Sequence, residues 1–143
     1  MQNFKQELER FLVAQENIYP YALSEMKDGH KRSHWIWFIF PQIHGLGHSE
    51  KARYFAISDI EEAKAYMAHP ILSKRLIEIS NALLSVHTNN AREVMGYPDD
   101  LKLKSCMTLF SIISVNPIFQ QVLDKFFNGE RDEQTILIIN GFQ

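Results

Sequence analysis

Six apolar residues, Ile71, Leu72, Leu76, Ile79, Leu83 and Val86, fall on one stripe behind Pro70. That spacing has the period of an amphipathic helix of about four turns, not the alternation of a strand. The same period recurs along the chain. Phe4, Leu8, Phe11 and Leu12 hold the i, i+4, i+7 and i+8 positions of a first helix. Tyr19 to Lys27 reads as a second, with Pro20 in its first turn and Gly29 just past its end. Ser49 caps a short helix through Phe55. Ser58-Asp59-Ile60-Glu61 has the form of a capping box opening a helix to about Ala68.

Further on, Asp99 or Asp100 caps a helix carrying Leu101, Leu103, Met107, Leu109, Phe110 and Ile113, which is apolar on most sides and belongs at the centre of a core. Asn116-Pro117 starts another, ending near Asn128-Gly129, and Asp132 begins a last one through Ile139. Ile136 to Ile139 also fits a strand, but no partner for it is evident. No Asn-Gly or Asp-Gly hairpin turn sits between alternating residues. The expected architecture is an all-α single domain over residues 1–143, built from seven to nine mostly short helices.

One stretch stands apart. His34-Trp35-Ile36-Trp37-Phe38-Ile39-Phe40 is followed by Pro41 and the Gly45-Leu46-Gly47 turn. Its helical neighbours favour a buried helix that stops before Pro41, since the residue before proline is pushed out of the α region. A buried indole still needs an acceptor for its N–H. Trp35 and Trp37 therefore read as core or as pocket wall, and the two readings overlap.

Charge and composition narrow the function classes. The formal net charge is −2, and the 15 lysines and arginines are spread along the chain, so there is no basic arm or stripe of the kind that neutralises phosphates, and no nucleic-acid partner is expected. The longest apolar run, Trp35 to Pro41, is far short of the roughly 18 residues a membrane-spanning helix needs. The start of the chain lacks the basic and apolar regions of a signal peptide. A single cysteine, Cys106, excludes an internal disulfide framework and suits a reducing compartment, so the expected location is cytoplasmic. Cys106 itself reads as a small buried hydrophobe.

The order Gly29, Lys31, Ser33 to Gln42, Gly45-Leu46-Gly47, Ser49, Tyr54, Glu62-Ala63, His69-Pro70, Leu72, Arg75-Leu76, Asp100, Lys102, Ser105 and Thr108-Leu109-Phe110 resembles the family called domain of unknown function 1810 over nearly the whole chain. Ser73, Met95 and Cys106 depart from the family pattern, and none of them is a position on which chemistry is placed. The resemblance implies an all-α fold arranged like a truncated globin and carries no assigned activity.

Polar residues gather around the aromatic block. Lys31 precedes it and Gln42 follows it, and Gly45 and Gly47 let backbone amides approach a ligand. With Ser49 opening a helix, this turn reads either as an anion cradle or as an ordinary cap. His34 is a candidate general acid or base because an imidazole titrates near neutrality, or else a histidine bonded to backbone. Asp100 and Lys104 fit an i, i+4 ion pair, while Lys102 and Ser105, three apart, share a helix face. A lysine on an apolar helix needs a partner or water.

Six histidines include two i, i+4 pairs, but glycines interrupt both, so no metal is expected. No histidine is singled out as a haem ligand, so no cofactor is expected. The sharpest functional expectation is a pocket for a nucleotide-like or phosphate-bearing small molecule, walled by the tryptophans and completed by Lys31, Gln42, Gly45, Gly47, Ser49, Lys102 and Ser105. In its most concrete form this is a hydrolase or glycosidase acting on an ADP-ribose-like metabolite, with His34 or Asp100 assisting water. The alternative is a protein-interaction or purely structural module, for which the sequence names no partner.

Overall fold

The computed structural model describes residues 4–141. Among them ten helices follow one another: α1 (Lys5–Gln15), α2 (Tyr19–Asp28), α3 (Ile36–Ile39), α4 (Glu50–Tyr54), α5 (Ile60–Ala68), α6 (Pro70–Leu84), α7 (Ala91–Met95), α8 (Asp99–Ile113), α9 (Ile118–Phe127) and α10 (Glu133–Ile139). The all-α expectation holds, and the helix count exceeds the expected seven to nine. The unforeseen helix is α7. Asn90 caps it, its Oδ1 accepting from the Arg92 and Glu93 amides, and Gly96 ends it. Five residues make less than two turns, too few to display a period. The stretch that also fitted a strand, Ile136 to Ile139, lies within α10.

Several caps differ from the expected ones in register. The N-cap of α5 is Asp59, which accepts from the Glu62 amide at 2.9 Å, while the Glu62 carboxylate accepts from the Ser58 amide at 2.7 Å. The cap is one residue later than the Ser58–Glu61 reading, and the Glu62 carboxylate closes on the amide of Ser58, the residue before the cap. At α6 the cap is an imidazole, with His69 Nδ1 accepting from the Ile71 and Leu72 amides. Neither Asp99 nor Asp100 caps α8. Pro98 stands at that N-cap without a side-chain bond, and the two aspartates occupy the first turn, where a negative charge suits the helix dipole.

Helix α8 runs through the centre, with Leu103 and Ser105 to Phe110 all buried, and it packs against α3, α5, α7, α9 and α10. A relay of rings crosses the core: Phe38 to Phe55, Phe55 to Phe11, Phe11 edge-on to Tyr66, Tyr66 to Phe110 and Phe110 to Phe119, with centroids 5.2 to 5.9 Å apart. Those separations lie in the favourable range for offset and edge-on aromatic pairs. Most polar groups within the core are satisfied in place, Trp37 Nε1 and Asp100 Oδ1 being left without a partner among the described residues. Gln15 donates to the Phe38 carbonyl at 2.7 Å and accepts from Arg75 at 3.2 Å, and so ties α1 to the end of α3 and to α6. A lone parallel bridge pairs Ile43 with Ile57, holding the segment after Pro41 beside the entry to α5. No helix among the described residues is long and apolar enough to cross a membrane.

Candidate functional site

Helix α2 ends in a Schellman turn: Gly29 adopts φ +78°, its amide bonds to Met26 O, and the His30 amide reaches back to Glu25 O. The chain leaving this turn would carry unpaired amides into the core, and one side chain collects them. Glu25, buried on the inner face of α2, accepts from the Arg32 amide at 2.7 Å, the Ser33 amide at 3.1 Å, the Ser33 hydroxyl at 2.5 Å and the Trp35 indole at 2.9 Å. Burial pushes the Glu25 carboxyl up. The hydrogen bonds from Ser33, Arg32 and Trp35 outweigh burial and hold it below the usual carboxylate range.

Trp35 is fully buried, so it is core, with its polar edge answered by Glu25. Over its ring, at 4.9 Å from the centroid, lies the Lys31 ammonium. Lys31 also donates to Ser33 O and pairs with Asp99 at 2.9 Å, and its side chain is only 7% exposed. The other Asp99 oxygen faces Lys102 at 3.5 Å. Lys102 in turn stands over Trp37 at 5.5 Å, and Lys51 of α4 stands over the same ring at 4.8 Å.

Trp37 differs from its neighbour. It is half-buried, and its Nε1 is buried without a hydrogen-bond partner among the described residues. Around these two indoles are three lysines and two carboxylates, Glu25 at the Trp35 N–H and Asp99 between Lys31 and Lys102, so one positive charge is in excess. The local field is therefore positive, with indole faces and an unanswered donor beside it.

Gly47 brings α4 to this position. A methyl group built at Gly47 would come within 2.5 Å of the Ala52 Cβ, so only glycine lets the 45–49 turn lie against α4 and present Lys51 to Trp37. Gly45 holds φ +109°, a conformation that L side chains rarely adopt. Ser49 accepts from the Ala52 amide at 3.1 Å, the ordinary duty of a helix cap.

Of the residues singled out from the sequence, Lys31, Trp35, Trp37 and Lys102 come together here, with Gly47 shaping the approach. Gln42 is half-buried, and its carbonyl serves the bridge by accepting from the Ile57 amide at 2.8 Å. His34 is exposed. Ser105 lies elsewhere on α8, donating to Leu101 O and sitting 3.3 Å from Asp132, the residue that caps α10. Asp100 faces Arg92, and Lys104 lies near Glu130 instead of pairing with Asp100. Cys106 is sealed in the core, where burial pushes its thiol up and away from nucleophilic use. Among the described residues no group of three or more His, Cys, Asp or Glu side chains is arranged to hold a metal ion.

Three residues of the cluster were not foreseen. Glu25 carried a faint signal, a carboxylate next to Met26 on the apolar side of α2. In the sequence Asp99 reads as one of two possible caps, and Lys51 is not singled out.

Residues 5–139 match the family described as Protein of unknown function (DUF1810). The crystal structure of the conserved hypothetical protein Rv1873 from Mycobacterium tuberculosis is 41% identical, with a TM-score of 0.92 over 94% of this chain and 96% of that one. No curated relative matches the sequence.

Proposed function

The chain belongs to the DUF1810 family, and we propose that its Trp37 face binds a small anionic ligand with a planar group, of the phosphate-bearing, nucleotide-like kind. The observation that carries this reading is the pair of ammonium groups, Lys51 and Lys102, over one half-buried indole whose N–H has no acceptor. Two like charges placed against one ring repel unless a counter-ion answers them. Asp99 answers only one, because it is shared between Lys31 and Lys102.

A ligand phosphate supplies the missing negative charge, and its planar group stacks on the indole where the exposed Lys51 side chain swings aside. Trp35 and Glu25 form the rigid floor beneath. The proposal is one of binding. No reaction is placed on His34 and Asp100, since His34 is exposed and Asp100 faces Arg92.

The test uses the two tryptophans as reporters. Trp35 is sealed and Trp37 half-buried, so a ligand on this face changes the Trp37 emission. Titration with inorganic phosphate, nucleoside diphosphates and ADP-ribose should give a saturable change that Trp37→Phe removes and Lys51→Ala or Lys102→Ala weakens. A binding ligand also raises the unfolding temperature, by about 2.7 kcal/mol of added stability at a hundredfold excess over Kd. Absence of both effects across the panel overturns the reading and leaves the structural or protein-interaction module.

A further inference from the structure

Asp100 follows Asp99 on α8, and a step of about 100° around the helix turns it to a different face. Its side chain is 10% exposed, yet Oδ1 has no hydrogen-bond partner among the described residues. The nearest cation, Arg92 Nε, is 3.6 Å from Oδ2, too far for a good hydrogen bond. Arg92 does not close that gap because it is held elsewhere. Its guanidinium lies over the exposed Tyr97 ring at 4.7 Å, and its side chain is 64% exposed.

A buried carboxylate left short of donors is a standing energetic cost; Oδ1 is sealed, and a donor arriving from outside at Oδ2, the oxygen that Arg92 faces, would reduce that cost. Asp100 lines a groove of about 770 Å³ between α7, α8 and the end of α9. Arg92 and Lys104 supply its positive charges, and Phe126 and Phe127 supply an apolar wall.

Each simple class of ligand fails against this set of groups. A plain anion would satisfy Arg92 and Lys104 but meet the Asp100 carboxylate. A plain amine would satisfy Asp100 but meet the two cations. A molecule carrying an ammonium and a carboxylate on one carbon answers both, because its opposite charges are as close together as those of Asp100 and Arg92. We propose that this groove binds a free α-amino acid with an apolar side chain. The ammonium donates to Asp100, the carboxylate accepts from Arg92 and Lys104, and the side chain lies on Phe126 and Phe127.

This site is independent of the Trp37 face, and the experiment separates the two. The full chain, labelled with nitrogen-15, is titrated with L-phenylalanine and in parallel with phenethylamine and 3-phenylpropionate, which lack the carboxylate and the ammonium. The expected result is saturable movement of the Arg92, Asp100 and Phe127 signals in the millimolar range. Either analogue should bind about tenfold or more weakly. Arg92→Gln, a change at an exposed side chain, and Asp100→Asn should each weaken L-phenylalanine similarly, whereas Trp37→Phe should not. Where Asp100→Asn fails to fold, Arg92→Gln decides. No saturable shift with L-phenylalanine overturns the proposal, as does binding indifferent to Arg92→Gln. Equal binding of phenethylamine overturns the zwitterion assignment.

Discussion

The Glu25 carboxylate accepts the indole N–H of Trp35 at 2.9 Å across ten residues of sequence, and the same carboxylate holds the two backbone amides that lead into the aromatic block. One acidic side chain thus sets both the depth of Trp35 and the path of the chain from α2 to α3. Glu25→Ala would strand those buried donors together. Leaving a single buried donor unpaired costs about 1–3 kcal/mol, so the expected loss is at the upper end of that range or beyond. A denaturation midpoint that falls while the denaturant slope stays constant is the check.

Glu25→Gln tests the charge separately from the shape. The Glu25 carboxyl is held below its ordinary value of 4.5, so the folded state binds its proton less readily than the unfolded chain does. Its contribution to stability is fully present above that ordinary value and is lost as pH falls through the lower folded value. The wild type should therefore lose more stability than Glu25→Gln as pH falls through the ordinary value of 4.5 and below it. Denaturant curves collected at stepped pH would show the two converging in acid, and parallel curves would contradict the role given to the carboxylate.

What could be read from the sequence divides along physical lines. The helices α1, α6, α8 and α9 are long enough to repeat their apolar stripes, and the caps Ser49 and Asp132 are local, so both kinds of feature were visible. Helix α7 has caps but no room for a period. The site was half visible. Trp35, Trp37, Lys31 and Lys102 carry the chemistry in their own residue types, whereas Glu25, Lys51 and Asp99 acquire a role only from residues that folding brings near them. Asp99 looked like a cap because aspartate before an apolar run usually is one. Its actual work, pairing Lys31 and Lys102, depends on a contact 68 residues back along the chain.

Gly47→Ala isolates the approach of α4. The added methyl group meets Ala52 at 2.5 Å, and either the turn or the helix must retreat. Forced overpacking of this kind costs about 1–3 kcal/mol. Because Lys51 immediately precedes Ala52, the retreat should also carry its ammonium off the Trp37 ring. A shift in tryptophan emission that is absent in the Gly47→Ala, Trp37→Phe double variant would assign the change to Trp37. Gly96→Ala provides the contrast, since nothing lies within 4 Å of a methyl group there, and its cost should come from the backbone alone at φ +79°.

Asp99→Asn bears on the arrangement of the lysines. Lys31 is almost sealed from water, and Asp99 is its sole carboxylate partner among the described residues, at 2.9 Å. Removing one partner of a buried ion pair leaves an uncompensated charge and typically costs about 3–5 kcal/mol, with the Lys31 bond to Ser33 O drawing the expected loss toward the lower end. The exposed pair Arg32–Asp28, 57% exposed on both sides, is the internal control, and Asp28→Asn should change stability by less than about 1 kcal/mol. The decisive measurement is a double-mutant cycle combining Asp99→Asn with Lys31→Met. If Asp99 acts mainly by neutralising Lys31, the double variant should be more stable than the sum of the single losses allows. Strict additivity would place the value of Asp99 in its contact with Lys102, and the positive field at Trp37 would then rest on that second pair.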